Sequence, residues 1–198
     1  MSDHHEPSED RIYFFAQQTV TVNDFDAAGF ILDVGGGGEG IIGQLKGPQV
    51  IAIDPNKREL AEAAAGPLKI IMDARDLRFL DATFGAATAF FTLMYIRGPD
   101  HAKVFGEVFR VLVPGGTFLI WDTILPPRPG DVDEEKHIAA FPLQVKLPDQ
   151  EISTGYGTRW PEETQDLPYY VRLAESAGFD VIAQEAHDRV LFLHLQKP

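Results

Sequence analysis

Residues 31–40 read ILDVGGGGEG, and the fold turns on them. Ile31, Leu32 and Val34 suit a buried parallel strand. Asp33 stands at the end of that strand, two residues before Gly35. The glycines that follow let the backbone turn sharply and come close to a ligand with no Cβ in the way. A helix is expected to begin near Glu39 and run through Ile41, Ile42 and Leu45, turning its unpaired N–H groups back on the same spot. Strand, glycine turn and helix together make a nucleotide cradle.

Outward from this cradle the chain alternates strand and helix signals. Strands are predicted at 30–34, 50–54, 68–72, 86–92 and 117–122, with two more at 180–185 and 190–196. The last two are too close for a parallel crossover, so they must form an antiparallel hairpin. One helix, 57–65, follows Pro55 and stops at Gly66. Another, 101–112, carries Phe105, Val108, Phe109 and Leu112 on one face, with Asp100 as its N-cap. Pro114-Gly115-Gly116 breaks that helix and turns the chain into the next strand. A last helix, 168–177, is closed by Gly178. The alternation predicts an α/β fold, a doubly wound, mostly parallel seven-stranded sheet with helices on both faces and an antiparallel C-terminal hairpin. One domain is expected over 1–198, with 1–11 a flexible tail. Residues 123–165 interrupt the pattern, first with PPRPGDVDEE and then with FPLQVKL and EISTGYGT, two segments that suit a small hairpin. An insertion this long in a compact domain is usually functional, as a lid or recognition element.

Composition narrows the function. At 198 residues, 44% hydrophobic and 24% charged, the chain has the make-up of one soluble globular domain. Thirty acids against 17 bases give a net charge of −13, which repels phosphate backbones and argues against a nucleic-acid partner. The absence of cysteine removes disulfides, thiolate metal ligands and a cysteine nucleophile. No apolar run is long enough for a membrane span, and MSDHHEPSED is too polar and acidic for a signal peptide, so a cytoplasmic protein is expected. His4 and His5 read as part of a solvated tail, and no metal site is expected.

Gly35, Gly37 and Gly40 fit G-x-G-x-x-G, a pattern shared by NAD, FAD and other nucleotide binders. Asp33 discriminates among them. A carboxylate just before the glycines repels a dinucleotide's pyrophosphate and suits a ligand carrying an ammonium and a sulfonium. Asp54, ending the second strand, suits the two hydroxyls of a ribose, which NAD would satisfy equally.

Taken in order, these stretches resemble the class I S-adenosylmethionine-dependent methyltransferases, in particular the broad type 11 group. The resemblance runs from about Phe30 to Leu195. ILDVGGGGEG is similar to the family's first motif and VIAIDPN (50–56) to its second strand with the acidic end. MDARDLRF (72–79) is similar to the third-strand motif, FFTLMYI (90–96) to the fourth strand and following loop, and FRVLVPGGTFLIWD (109–122) to the R-x-L-x-P-G-G helix–turn–strand. LAESAGFDVI (173–182) is similar to the last helix entering the sixth strand. The resemblance implies strand order 3-2-1-4-5-7-6 and S-adenosylmethionine as cofactor, with S-adenosylhomocysteine as product. It implies that Asp33, Val34, Gly35, Gly36 and Gly37 meet the methionine portion and that Asp54 and Pro55 meet the ribose. Asp73 and Ala74 would meet adenine, and Thr92, Leu93 and Met94 would lie beside the sulfonium. Three departures stand out. Glu39 occupies a place where the family commonly has glycine. Gly85 follows Phe84 where Asp is frequent, which is expected to cost a surface contact. The segment before the first strand, IYFFAQQTVTV, is short for a lid.

The implied activity is methyl transfer to a small-molecule acceptor by in-line displacement. A sulfonium is already an activated leaving group, so alignment and exclusion of water matter more than acid–base chemistry. The catalytic residue is accordingly unassigned, with Tyr95, Asp122 and His137 as acceptor-side candidates. His101 reads as a helix-start residue and His194 as a residue of the terminal strand. The absence of an N/D-P-P-Y/F segment disfavours amino-methylating relatives that act on nucleic acids or glutamine. Two further readings stay open: a cofactor-binding or regulatory module without catalysis, and an NAD-binding oxidoreductase.

Overall fold

Side chains alternate across a strand, and residues 31–34 show what that does here. Leu32 and Val34 enter one hydrophobic core while Ile31 enters another, on the opposite face of the sheet. The structure, a computed structural model, describes residues 9–198; His4, His5 and most of the expected tail lie outside the described residues. In chain order the elements are β1 (Ile12–Phe14), β2 (Gln18–Thr21), β3 (Ile31–Val34), α1 (Ile41–Lys46), β4 (Val50–Asp54), α2 (Lys57–Glu62), β5 (Leu68–Ile71) and β6 (Phe84–Phe90). They continue with α3 (Gly98–Val111), β7 (Leu112–Thr123), β8 (Ile138–Lys146), β9 (Glu151–Arg159), α4 (Leu167–Ala177), β10 (Asp180–His187) and β11 (Val190–Gln196).

Seven strands form the main sheet in the spatial order β10-β11-β7-β6-β3-β4-β5. The pairs from β5 through β7 are parallel; β11 runs antiparallel to both β7 and β10. Counted along this sheet alone, from the β5 edge, the order is 3-2-1-4-5-7-6. One face packs on α3 and α4 through Val104, Phe105, Val108, Tyr170 and Ala174. The other face carries helices too, as expected, and a second sheet besides. There Ile41, Ile42 and Leu60 of α1 and α2 share the core with Ala139, Phe141, Leu143 and Val145 of β8.

Strand β8 belongs to a second, four-stranded sheet. It pairs antiparallel with β9 from Ile138–Arg159 to Lys146–Glu151, the hairpin the sequence suggested within 123–165. The short N-terminal segment supplies the rest: β1 and β2 lie one after the other along the free edge of β8, both parallel to it. β8 therefore alternates buried with less buried residues, Ala139, Phe141, Leu143 and Val145 facing the main sheet.

Helix boundaries bring small corrections. Helix α3 starts at Gly98-Pro99, with Arg97 as its N-cap residue, so Asp100 is a first-turn residue rather than the cap. It ends at Val111, three residues before Pro114, and β7 follows without a gap. Helix α1 begins two residues later than expected and has only six residues. Gly85 does not sit where a surface contact was lost. A Cβ there would lie 1.8 Å from the Ala28 carbonyl oxygen, because the chain leading into β3 crosses β6 at that point.

Candidate functional site

Open α/β sheets bind ligands at the carboxyl ends of their strands, where the order reverses. Here β3, β4, β5 and β6 end around a cavity of about 900 Å³. Its floor is the glycine loop. Gly35 has φ +73°, and a Cβ there would come 2.2 Å from Thr92 Oγ1, so the loop and the turn after β6 touch backbone to side chain. Thr92 Oγ1 donates to the Val34 carbonyl at 3.0 Å, which ties that turn to the end of β3. The N–H groups of Gly35 and Gly36 both donate to the Ile53 carbonyl, at 2.8 and 3.1 Å. Those of Gly38 and Gly40 donate to Glu59 and Gly37, leaving the Gly37 N–H without a protein partner among the described residues. The expected row of donors from Gly35 to Gly37 thus reduces to one.

Four of the carboxylates around the cavity are in different states. Asp33 is 2% exposed and accepts the Thr88 hydroxyl at 2.8 Å. Burial pushes its carboxyl up to about 7, while the Thr88 hydrogen bond pulls the other way. It has no cationic partner among the described residues, and an ammonium-bearing ligand is the group such a carboxylate lacks. Asp54 accepts the Asn56 N–H at 2.7 Å, which opens α2, and its partial burial also raises its pKa. Asp73 is occupied: the Arg75 guanidinium holds it at 2.6 Å and well below the usual carboxylate range, while bridging to Asp100 at 2.9 Å. Glu39 accepts the Tyr156 hydroxyl at 2.9 Å and the Thr154 hydroxyl as well.

That last contact brings the insertion to the site. Tyr156 of β9 stacks on Phe91 with ring centres 5.4 Å apart and meets Phe90 edge-on at 6.4 Å. Burial, then the Glu39 carboxylate, push its phenol far above the ordinary range, so it stays a hydrogen-bond donor. The Gly157 N–H donates to the Tyr95 hydroxyl at 3.3 Å, and the buried Thr158 hydroxyl donates to the Met94 carbonyl at 2.8 Å. Together β9 and the turn after β6 make an aromatic roof of Phe90, Phe91, Tyr95 and Tyr156.

A family model described as a methyltransferase domain matches residues 32–120. Among solved structures, an S-adenosylmethionine-dependent methyltransferase from Mesorhizobium loti superposes with a TM-score of 0.61 at 16% identity, covering 87% of this chain and 93% of that one. The chain has a class I methyltransferase-like fold. A sterol 4-C-methyltransferase of Caenorhabditis elegans is 33% identical over 94 residues, covering 44% of this chain and 27% of that protein. A demethylmenaquinone methyltransferase of Listeria monocytogenes is 32% identical over 120 residues, covering 58% and 49%. The chain thus spans about half or less of the length of these curated relatives.

Against the methyltransferase expectation, the residues divide clearly. Asp33, Val34, Gly35, Gly36, Gly37, Asp54, Pro55, Asp73, Ala74 and Thr92 all line the one cavity, and so does Tyr95. Leu93 and Met94 do not; both are buried behind the wall, and only their backbone serves it. Asp122 is fully buried behind the same turn, and His137 is exposed and away from the cavity. Neither lines the cavity. His101 lies in the first turn of α3, as a helix-start residue, and is buried there. The sequence reading missed Tyr156 and Glu59, and it noted Glu39 only as a departure. The tyrosine flanked by two glycines in EISTGYGT was the available signal for the roof.

Proposed function

We propose that this chain binds S-adenosylmethionine in the cavity and transfers its methyl group to a small-molecule acceptor. The observation that carries the reading is the convergence of Asp33, Asp54, Asp73-Ala74 and Thr92, from four successive strand ends, on one cavity of about 900 Å³. That volume is at the upper end of the roughly 300–1,000 Å³ usual for ligand pockets, enough for a nucleoside donor and a compact acceptor together. When bound, the cofactor supplies an electrophilic methyl on a good leaving group. The protein's own work is then to hold, align and exclude water. Asp33 offers its carboxylate to the ammonium and Asp54 accepts ribose hydroxyls. Ala74 presents adenine with its backbone beside Asp73. Thr92 and Tyr95 shape the wall next to the acceptor space.

The acceptor we propose is uncharged or cationic. Seven acidic side chains line the cavity against two guanidinium groups, and one of these, Arg75, is spent on Asp73 and Asp100. Such a wall disfavours a carboxylate or phosphate ester and favours a molecule whose apolar body lies on Phe90, Phe91 and Tyr156. The sterol and menaquinone names of the curated relatives agree with an uncharged acceptor. A binding module without catalysis would be favoured by protein filling the space beyond the cofactor; the cavity's volume of about 900 Å³ supports the catalytic reading.

Titration calorimetry tests the first half of the reading: S-adenosylhomocysteine should bind and NADH should not. Incubation with methyl-labelled cofactor and fractionated metabolites tests the second, with label expected in neutral or basic fractions. Tight S-adenosylhomocysteine binding with no transfer to any fraction would leave the silent module as the better account.

A further inference from the structure

The turn after β6 shapes the cavity wall, yet its conformation is one a chain avoids. Phe91 has φ +47° and is buried, a left-handed backbone for a bulky residue. Such strain persists only where the surroundings over-determine it. Two fully buried polar side chains do so from behind the wall. Asp122 Oδ2 accepts the Leu93 N–H at 2.8 Å while its Oδ1 accepts the Thr123 N–H at 2.8 Å. His101 Nε2 lies 2.9 Å from the Leu93 carbonyl oxygen and Nδ1 lies 2.9 Å from the Tyr169 hydroxyl. A carbonyl can only accept, so Nε2 carries the proton and Nδ1 accepts from Tyr169. One peptide unit on each side of Leu93 is thereby gripped, its N–H by a carboxylate and its C=O by an imidazole.

We infer that Asp122 and His101 are positioning residues: by clamping Leu93 from behind, they hold Thr92 and Tyr95 in the conformation that faces the ligand. The inference rests on the cofactor reading above, but the clamp touches no ligand. Burying a carboxylate with no cation beside it is costly, and its compensation here is backbone N–H groups of the turn. That arrangement favours one backbone conformation rather than general cohesion.

Isosteric changes separate positioning from packing. In Asp122→Asn, whichever way the amide turns, either Leu93 or Thr123 loses its acceptor. Loss of a charge-assisted bond of this kind should weaken S-adenosylhomocysteine binding at least about tenfold. It should also speed hydrogen exchange of residues 90–96. His101→Leu fills the space without a donor, and His101→Gln keeps a donor for the Leu93 carbonyl. Calorimetry well below the melting temperature should show weak binding for Leu and recovery to within about threefold of the parent for Gln. Thermal melts should rank the pair the other way, because leucine suits a buried site better than glutamine. If affinity simply follows melting temperature across the three variants, the role is packing and the inference fails. Failure of the parent protein to bind S-adenosylhomocysteine would defeat the cofactor reading instead. The exchange measurement then decides the clamp alone, and unaltered exchange at 90–96 in Asp122→Asn overturns it.

Discussion

The floor of the cavity is fixed by neighbours and the roof by strangers. The glycine loop hangs from Ile53 and Glu59, within two dozen residues, by backbone hydrogen bonds. The roof reaches the same loop through Glu39 and Tyr156, 117 positions apart, and its sheet joins the N-terminal strands to β8 by register alone. The floor's bonds use groups every residue has, whereas the roof's depend on particular side chains at particular places. Changes at the floor or its junction with the roof should therefore cost stability, and changes within the roof should cost order locally.

The largest effect is expected at the junction. Gly85→Ala puts a methyl group 1.8 Å from the Ala28 carbonyl oxygen, where backbone must give way. The crossing segment leads from the roof strands into β3, so both regions should loosen together. A loss of about 3 kcal/mol in urea unfolding is expected, at the upper end of overpacking penalties. Retention of full stability would mean the crossing is free to move, and the contrast between floor and roof would collapse.

Next comes the pH response of the floor. Asp33 holds its proton more tightly folded than unfolded, with a pKa raised from 3.8 to about 7. Its favourable contribution is therefore present at low pH and is lost as pH rises from about 4 to about 7. On the order of 2–3 kcal/mol of stability in the unliganded protein should disappear between pH 5 and pH 8. Asp122, also raised to about 7 by burial, acts in the same direction. Urea midpoints at pH 5 and pH 8 should converge in Asp33→Asn relative to the parent, leaving the Asp122 share. An unchanged slope would show that Asp33 finds a compensating partner in solution.

Within the roof the effect should be smaller and local. Tyr156→Phe keeps the ring on Phe91 and deletes the hydroxyl that Glu39 accepts. A cost of about 1.5 kcal/mol is expected from a bond to a charged group. Faster hydrogen exchange should be confined to β9. Exchange spreading into β3 and β4 would show that floor and roof are one cooperative unit.

This division also explains how far the sequence could be read. The strands ending in Asp33, Asp54 and Asp73 were legible because a strand, a turn and an acid are adjacent in the chain. Leu93 and Met94 were placed on the wall by resemblance, but the left-handed Phe91 turns their side chains into the core. Asp122 reads as an acceptor-side candidate in the sequence, where nothing local reveals that its carboxylate points at a backbone N–H 29 residues away. The roof was half legible: FPLQVKL and EISTGYGT read as two arms of a hairpin, but its union with β1 and β2 is a long-range pairing that no local pattern encodes.

The smallest expected effect lies at the end of the cavity around Asp73, the end proposed to take adenine. Arg75 spends its guanidinium on Asp73 and Asp100, and all three side chains are between a third and a half exposed. Ion pairs of this kind contribute about 0–1 kcal/mol, so Arg75→Gln should shift the urea midpoint very little. Its effect on binding should have the opposite sign. Asp73 accepts Arg75 through both oxygens, and the guanidinium competes with a base amino group for the same lone pairs. Removing it should leave S-adenosylhomocysteine affinity unchanged or up to about threefold tighter, with a weaker dependence on salt. A tenfold loss would instead make the Arg75 guanidinium itself a ligand-facing group, and the adenine end would then be held by side chains from outside the strand ends, as the roof is.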